Sequence, residues 1–306
     1  MSEIIFDHSH HEFSLDDGER GIPDYDAIRQ PLSVIVQVTR RCPLHCAFCS
    51  ESDQFDDPSF HSLESLKARL KGVSRIYLSG GEPLMRTDIF ELIQSYRNDF
   101  LVVGLPTNCI YITREVCNKL KGTVSYINAG LDGPRHINDQ IRGGYDKIVA
   151  GLNNLKDSGI EVSLSTVILK TTLPHLQYVA QIADTLGVIK VKMVIPVLRG
   201  RAKGLSPGDF ANKEDIVAKF GEIVELKKTL GWKPRIKFTF WDKATEGYAL
   251  LVYPNKKVYA WPVLAAPDSV LLVGDLTNDS IQDVWSRYPY RNNHVNKYVG
   301  LSMHKG

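Results

Sequence analysis

Short apolar segments alternate with amphipathic segments between residue 32 and about residue 230. The first apolar segment alternates and is rich in β-branched residues, which predicts a strand. The predicted strands are residues 32–38, 74–78, 100–105, 123–131, 161–169 and 190–197. The predicted helices, which have apolar residues at helical spacing, are residues 62–70 with Ser62 as cap, 87–96, 113–120, 145–158, 174–186 and 212–230.

This pattern amounts to six β-α units, and it predicts parallel strands joined by right-handed crossovers. Six units are too few for a closed eight-fold barrel, and no G-x-G-x-x-G motif follows the first strand. The sequence therefore predicts an α/β fold, a partial (β/α)6 barrel over residues 32–232. Residues 1–31, polar and irregular in pattern, are predicted to form an N-terminal extension.

The pattern changes after residue 232. Segments 235–240, 248–252 and 257–261 are predicted to form a meander, followed by a strand at 270–273 and a helix at 280–287. We expect residues 233–306 to form a small α+β appendage.

Composition narrows the class of protein. The chain has 306 residues, 43% hydrophobic and 24% charged, as is usual for a soluble globular protein. A net charge of +2 predicts no nucleic-acid partner. No apolar run is long enough to span a membrane, and no signal peptide is visible. Five cysteines, three of them clustered, favour a reducing cytoplasm.

His8, His10 and His11 lie close together near the N-terminus. We expect this segment to be a solvated tail, and a metal-binding role is the alternative.

Three of the cysteines follow the first predicted strand as Cys42-Pro-Leu-His-Cys46-Ala-Phe-Cys49. Thiolates bind soft metals and iron–sulfur clusters. A cubane cluster uses four cysteines, so three would leave one iron open, as catalytic metal sites require. The alternatives are zinc with His45 or another histidine as fourth ligand, a disulfide, or inert buried thiols.

Two further motifs follow later strands. Gly80-Gly81-Glu82-Pro83 comes directly after the second strand and permits a close backbone approach to a ligand. Leu131-Asp132-Gly133-Pro134 ends the fourth strand and precedes Ile141-Arg142-Gly143-Gly144. Because all three motifs follow strands of one predicted parallel sheet, we expect them to meet at the edge where ligands bind.

The order C-x3-C-x2-C, Gly-Gly-Glu-Pro and Asp-Gly…Arg-Gly resembles the radical SAM superfamily, over most of the chain from residue 32 to about 290. The resemblance implies that Cys42, Cys46 and Cys49 hold a [4Fe-4S] cluster, and that S-adenosylmethionine (SAM) binds its open iron. It implies that the Gly-Gly-Glu-Pro element receives the SAM amino group and that Arg142 meets the carboxylate. The SAM contacts expected in this way are Phe48, Gly80, Gly81, Glu82, Pro83, Asn108, Arg142, Ser165 and Val194.

The chain departs from the family pattern at two positions. The chain reads Thr107-Asn108-Cys109 where the family usually carries Thr-Asn-Gly, so Cys109 replaces the glycine. Cys109 is either a small filler or a hydrogen-atom donor near the radical. Gly130 replaces the serine that contacts the ribose, and Asn128, Ser165 or Thr166 are the candidate replacements.

The C-terminal segment resembles the SPASM or twitch extension, although the chain has no cysteine after Cys117. The cysteines of auxiliary clusters are therefore missing, and Trp261 stands at one expected position, either as core or as a wall for substrate. Lys192, Arg199 and Arg201 could meet an anionic part of the substrate, with ordinary solvated charges as the alternative.

The resemblance implies reductive cleavage of SAM to a 5′-deoxyadenosyl radical, which takes a hydrogen atom from the substrate. We expect a small polar metabolite of sugar or nucleoside type and an outcome of epimerisation, rearrangement or group elimination. Radical modification of a ribosomal peptide is one alternative, and a non-catalytic zinc or iron–sulfur protein is another. A flavodoxin or ferredoxin is the expected external electron donor.

Overall fold

The structure is a computed structural model that describes residues 4–7, 12–15, 28–51 and 56–298. Its strands are β1 (Ile4–Asp7), β2 (Glu12–Leu15), β3 (Ser33–Thr39), β4 (Arg75–Gly80), β5 (Val102–Thr107), β6 (Tyr126–Gly130), β7 (Val162–Val167), β8 (Lys190–Val194), β9 (Arg235–Thr239), β10 (Ala249–Val252), β11 (Lys257–Trp261) and β12 (Leu271–Asp275). Its α-helices are α1 (Phe60–Leu66), α2 (Ile89–Asp99), α3 (Arg114–Leu120), α4 (Arg135–Ile141), α5 (Tyr145–Asp157), α6 (Leu176–Thr185), α7 (Lys213–Leu230), α8 (Ile281–Ser286) and α9 (Arg291–Tyr298).

Strands β3 to β9 lie side by side in chain order, and every neighbouring pair among them is parallel. One or two α-helices follow each strand from β3 to β8. The α/β class and the partial (β/α)6 barrel are therefore confirmed.

Alternation along the strands divides the barrel into two faces. In β3, Val34 and Val36 are buried, while Ile35 between them lines a cavity inside the barrel. In β8, Val191 and Met193 are fully buried, whereas the intervening Lys192 lines the same cavity. The segment Lys190–Val194 thus carries one apolar face for the outer layer and one cationic face for the interior.

The prediction of a meander after residue 232 is wrong. Strand β9 extends the barrel sheet by pairing parallel with β8, whereas β10 pairs parallel with β3 at the opposite side of the sheet. Among the described strands after residue 232, β10, β11 and β12 form an antiparallel unit that does not include β9. The domain boundary at residue 232 stays a prediction.

The N-terminal extension contributes to the core, in contrast to the irregular segment that was expected. Strands β1 and β2 form an antiparallel pair in which Phe6 is opposite Phe13. Both rings are buried, and Phe6 stacks on Tyr126 at the amino end of β6. His8, His10 and His11 lie outside the described residues.

Two local predictions also need correction. Helix α1 is capped by Ser59, whose Oγ accepts a hydrogen bond from the backbone N–H of Ser62 at 3.1 Å, so Ser62 is not the cap. Helix α4 was not predicted. In the part of the chain that is described, no helix has the length and apolar character needed to cross a bilayer. A cytoplasmic location stays a prediction.

Candidate active site

The carboxyl ends of the barrel strands surround a cavity of about 300 Å³, which we call the cysteine cavity. It joins residues that are far apart in sequence but were predicted to act together. The predicted site residues that line it are Cys42, Cys46, Phe48, Cys49, Gly80, Gly81, Asn108, Arg142 and Ser165. Val194 lines a smaller neighbouring cavity of about 170 Å³, together with Phe48, Arg142 and Ser165. Glu82, Pro83 and Cys109 line neither cavity.

The cysteine loop is tied down by its backbone. The N–H of Ala47 donates to the carbonyl of Ile141 at 3.0 Å, and Arg201 Nε donates to the carbonyl of Cys46 at 3.1 Å. Asn108 Nδ2 lies 3.7 Å from Cys42 Sγ. The loop is therefore held by the end of α4 and by the segments that follow β5 and β8. The bond from Arg201 gives this residue a positioning role that the sequence did not reveal.

The donor set suits an iron–sulfur cluster. Burial raises the pKa of the Cys46 thiol to about 11, and the positive charge of Arg142 acts in the opposite direction. Among the described residues, no three His, Cys, Asp or Glu side chains converge as ligands of one metal ion. A cubane makes a different demand, because each thiolate binds its own iron atom. Three thiols spread around one cavity meet that demand.

Gly80 and Gly81 allow two backbones to meet beside the cysteine loop. A Cβ at Gly80 would lie 2.0 Å from the Thr39 carbonyl oxygen, and one at Gly81 would lie 2.4 Å from that of Arg41. The close approach permits backbone bonds from Gly81 N to Thr39 O at 2.9 Å and from Glu82 N to Arg41 O at 2.8 Å. The glycines thus hold the turn after β4 against the start of the cysteine loop.

Glu82 is fully buried, and its carboxylate is used within the protein. It accepts hydrogen bonds from Thr107 Oγ1 at 2.8 Å, Asn108 N at 2.7 Å and Leu84 N at 3.1 Å. Burial raises the pKa of Glu82 to about 7, against the lowering effect of these donors. The carboxylate joins the turn after β4 to the end of β5. Direct contact of Glu82 with SAM stays a prediction, and Pro83 is buried at the start of the short 3-10 helix Pro83–Met85.

Arg142 is held by a buried carboxylate. Asp132 accepts from Arg142 Nε at 2.6 Å and from the Val167 backbone N–H at 2.8 Å. The guanidinium lies 5.1 Å from the centre of the Phe48 ring. Within the described residues, neither Nη group of Arg142 donates a hydrogen bond, so the outer edge of the guanidinium is free for a carboxylate.

Asn138 is a positioning residue that the sequence did not reveal. Its Oδ1 accepts from the backbone N–H of Asp132 at 3.1 Å, and its Nδ2 donates to the carbonyl of Gly143 at 3.2 Å. It therefore joins the two motifs that carry Asp132 and Arg142. It lies on α4, and a seven-residue helix gives too short a periodic signal to be found by spacing alone.

Gly130 makes room for the guanidinium. A Cβ at this position would lie 2.5 Å from Arg142 Nη1 and 2.7 Å from Cζ, which is inside van der Waals contact. The family's serine is thus excluded while Arg142 keeps this position. Nearby, Ser165 Oγ donates to Asn128 Oδ1 at 3.1 Å, and both residues line the cysteine cavity.

We expect Gly130→Ser to weaken SAM binding by about tenfold, because displacing Arg142 costs a charge-assisted hydrogen bond. Equilibrium dialysis with SAM would measure this. Gly221→Ser is the matched control, since a Cβ at Gly221 in α7 meets nothing within 4 Å. Unchanged affinity in Gly130→Ser would mean that the guanidinium does not set SAM affinity from its present position.

Cys109 does not line the cysteine cavity, and its role as a hydrogen-atom donor stays a prediction. The residue is fully buried in the hydrophobic core and has a φ of 65°. A Cβ built on Gly151 of α5 would lie 3.2 Å from its Cβ, which shows how closely α5 packs against it. Burial raises the pKa of the thiol above its usual range. The filler interpretation fits this environment.

We expect Cys109→Ala to keep both SAM cleavage and substrate turnover, and to lower the free energy of unfolding by about 1 kcal/mol. Product assays and urea denaturation would measure the two effects. Loss of turnover with intact SAM cleavage would contradict this expectation and restore the donor hypothesis.

A second cavity of about 200 Å³, the barrel cavity, lies inside the barrel. It shares Ser79, Pro106 and Asn128 with the cysteine cavity, so the two adjoin at the carboxyl ends of the strands. Trp261 lines the barrel cavity, with its ring centre 5.5 Å from that of Trp241 and 5.7 Å from that of Tyr248. This position agrees with a wall against which a substrate packs.

The other basic candidates lie apart. Lys192 lines the barrel cavity. Arg199 forms an ion pair with Glu51, which also pairs with Arg40 and accepts from Tyr253 OH at 3.0 Å. Arg199 is therefore part of a buried charge network beside the cysteine loop.

Comparison with known proteins gives the family. Residues 36–182 match the Radical SAM superfamily. Pre-heme d1 synthase of Dinoroseobacter shibae is 30% identical over 281 residues, covering 83% of this chain and 69% of the relative. Fe-coproporphyrin III synthase of Methanosarcina barkeri is 30% identical over 191 residues, covering 59% of this chain and 48% of the relative. The chain thus spans about half the length of several curated relatives that it matches.

Among solved structures, SuiB of Streptococcus suis bound to precursor peptide SuiA has a TM-score of 0.72 at 12% identity, covering 89% of this chain and 68% of that chain. This likeness shows a shared fold. The fold and the cysteine cavity agree with the radical SAM family, whose members use a [4Fe-4S] cluster and SAM. The chain belongs to the radical SAM superfamily.

Proposed function

We propose that Cys42, Cys46 and Cys49 hold one [4Fe-4S] cluster in the cysteine cavity and that the substrate lies in the barrel cavity. One observation carries the proposal: the cavity lined by the three thiols adjoins a cavity inside the barrel. When bound, the cluster and SAM supply a 5′-deoxyadenosyl radical that takes a hydrogen atom from the substrate. The protein supplies position and exclusion of water.

The residues around the cysteine cavity suit the parts of SAM. The free edge of Arg142 fits the carboxylate, and the turn at Gly80 and Gly81 offers carbonyl acceptors for the ammonium. Ser165 and Asn128 present polar atoms for the ribose. Phe48 and Val194 line the neighbouring cavity and provide apolar contacts for the adenine.

A small polar metabolite, of sugar or nucleoside type, is the proposed substrate. The barrel cavity of about 200 Å³ is below the usual range of ligand pockets, roughly 300–1,000 Å³. No cysteine follows Cys117, so an auxiliary cluster that could accept an electron has no thiolate ligands in the appendage. Epimerisation, rearrangement or group elimination therefore fits better than net oxidation. The structural relative SuiB was solved with a precursor peptide, and a peptide remains the alternative substrate.

Anaerobic reconstitution with iron and sulfide tests the proposal. We expect a brown protein that absorbs near ~400 nm and releases 5′-deoxyadenosine from SAM when reduced by dithionite or by a flavodoxin or ferredoxin. A colourless protein that retains zinc and releases no 5′-deoxyadenosine would contradict the proposal and favour the zinc alternative.

A further inference from the structure

Four lysines line the barrel cavity. Three of them come from three different elements and are Lys192 on β8, Lys237 on β9 and Lys297 on α9, and the fourth is Lys190 at the start of β8. Lys192 and Lys237 are register partners in the parallel β8–β9 pair, so their side chains leave adjacent strands on one face. Lys192 Nζ lies 3.4 Å from Tyr248 OH, and the Lys297 ammonium lies over the ring of Tyr248. The three amines thus gather around one side of the cavity.

No acidic side chain accompanies these lysines among the described residues that line the barrel cavity. Burial is the main cause that lowers the pKa of Lys192 to about 8; a hydrogen bond with Lys297 opposes it, and the nearby charge of Lys237 adds to it. The pKa of Lys297 is also lowered, first by burial and then by the charge of Lys192. Lys192 and Lys297 are therefore short of a compensating negative charge in the free protein, whereas Lys237 is exposed to solvent.

Ordinary structural lysines behave differently. They extend the ammonium into water or pair with a carboxylate, as Lys228 on α7 does with Glu225. The alternation of β8 instead turns Lys192 into the barrel, between the buried Val191 and Met193. A cluster of like charges in a cavity beside a reaction site indicates a ligand of opposite charge.

We propose that the barrel cavity binds an anionic group of the substrate, a carboxylate or a phosphate, through Lys192, Lys237 and Lys297. This inference rests on the proposed function and names its substrate class. Lys192 and Lys237 lie in the middle of their strands, and none of the three lysines lines the cysteine cavity, which Ser79 and Asn128 border. The anionic group therefore lies deep in the barrel, and the rest of the molecule extends toward the cysteine cavity, where hydrogen abstraction takes place.

The aromatic residues beside the lysines provide a direct readout. Trp261 lines the barrel cavity, and Trp241 stacks on Tyr248 with ring centres 5.4 Å apart. An anion that draws in the amines changes the surroundings of both indoles. Tryptophan fluorescence of the reconstituted protein with SAM, at constant ionic strength, therefore reports binding.

The probes are citrate for carboxylates, pyrophosphate for phosphates, and glucose as a neutral compound. We expect saturable fluorescence changes at millimolar concentration with at least one anion and none with glucose, and the anion that binds more tightly identifies the chemical group. Lys192→Met and Lys297→Met should each weaken that binding by about tenfold or more, since each removes a charged hydrogen-bond donor. Lys228→Met, at the exposed ion pair on α7, should leave it unchanged.

The inference is overturned if neither anion saturates, or if Lys192→Met and Lys297→Met both bind the anion as the wild type does. Release of 5′-deoxyadenosine without substrate is measured in the same samples. Because these lysines do not line the cysteine cavity, both variants should retain that release. A wild type that binds the anion but releases no 5′-deoxyadenosine would refute the proposed function and leave anion binding standing.

Discussion

Replacing Cys46 by alanine is expected to abolish cluster binding and the release of 5′-deoxyadenosine from SAM. Cys46 is the most buried of the three clustered thiols, at 8% exposure, and Arg201 and Arg142 lie against its loop. Loss of an outer-shell partner typically costs about 10–100-fold in metal affinity or activity, so loss of a ligand should exceed about 100-fold. Iron and sulfide content, visible absorbance and product release measure the effect.

Cys117→Ala provides the matched control for this change. It also removes one buried thiol, but from α3 in the core, and it leaves the cysteine cavity intact. We expect it to retain iron, colour and SAM cleavage. A Cys46→Ala protein with wild-type iron content and activity would show that the cluster is held elsewhere.

The barrel could be predicted because each of its units is encoded locally. Strand β3, for example, carries three buried valines at alternate positions, and a strand needs only this period to be recognised. The order of the strands then follows from general rules for right-handed crossovers. Packing shifted the ends of elements by a few residues, as at β5, where 100–105 was predicted and Val102–Thr107 is found.

The pairing of β10 with β3 could not be predicted from the same signals. Leu250 lies beside Val34, more than two hundred positions earlier in the chain. Periodicity identifies a strand, but it does not identify its partner, which depends on long-range packing. The two strands were therefore assigned to different domains by sequence pattern.

The candidate site could also be predicted only in part. The order of the motifs was enough to predict that the three thiols, the two glycines and Arg142 line one cavity, because the ends of parallel strands meet at one edge of the sheet. The directions of Glu82 and Cys109 could not be inferred, since both follow the last residue of a strand and alternation no longer applies. Three local donors hold Glu82 inside the protein, and the positive φ of Cys109 places its side chain in the core.

Asp132→Asn is expected to weaken SAM binding by at least about tenfold and to lower the free energy of unfolding by about 3 kcal/mol. The asparagine oxygen can still accept from the Val167 N–H, but its amide would face Arg142 Nε, so two donors would oppose each other. Arg142 would then keep a largely buried charge without its carboxylate. Equilibrium dialysis and urea denaturation measure the two effects.

Asp146→Asn is the matched control, because Asp146 pairs with Arg135 at the exposed surface. Breaking an exposed pair should cost less than about 1 kcal/mol and should not change SAM affinity. If Asp132→Asn destabilises the fold but binds SAM as the wild type does, Asp132 is structural and does not position Arg142 for SAM. If both properties change together, the buried pair links the stability of the barrel to the binding of its cosubstrate, since the carboxylate that joins β6 to β7 is the one that holds Arg142.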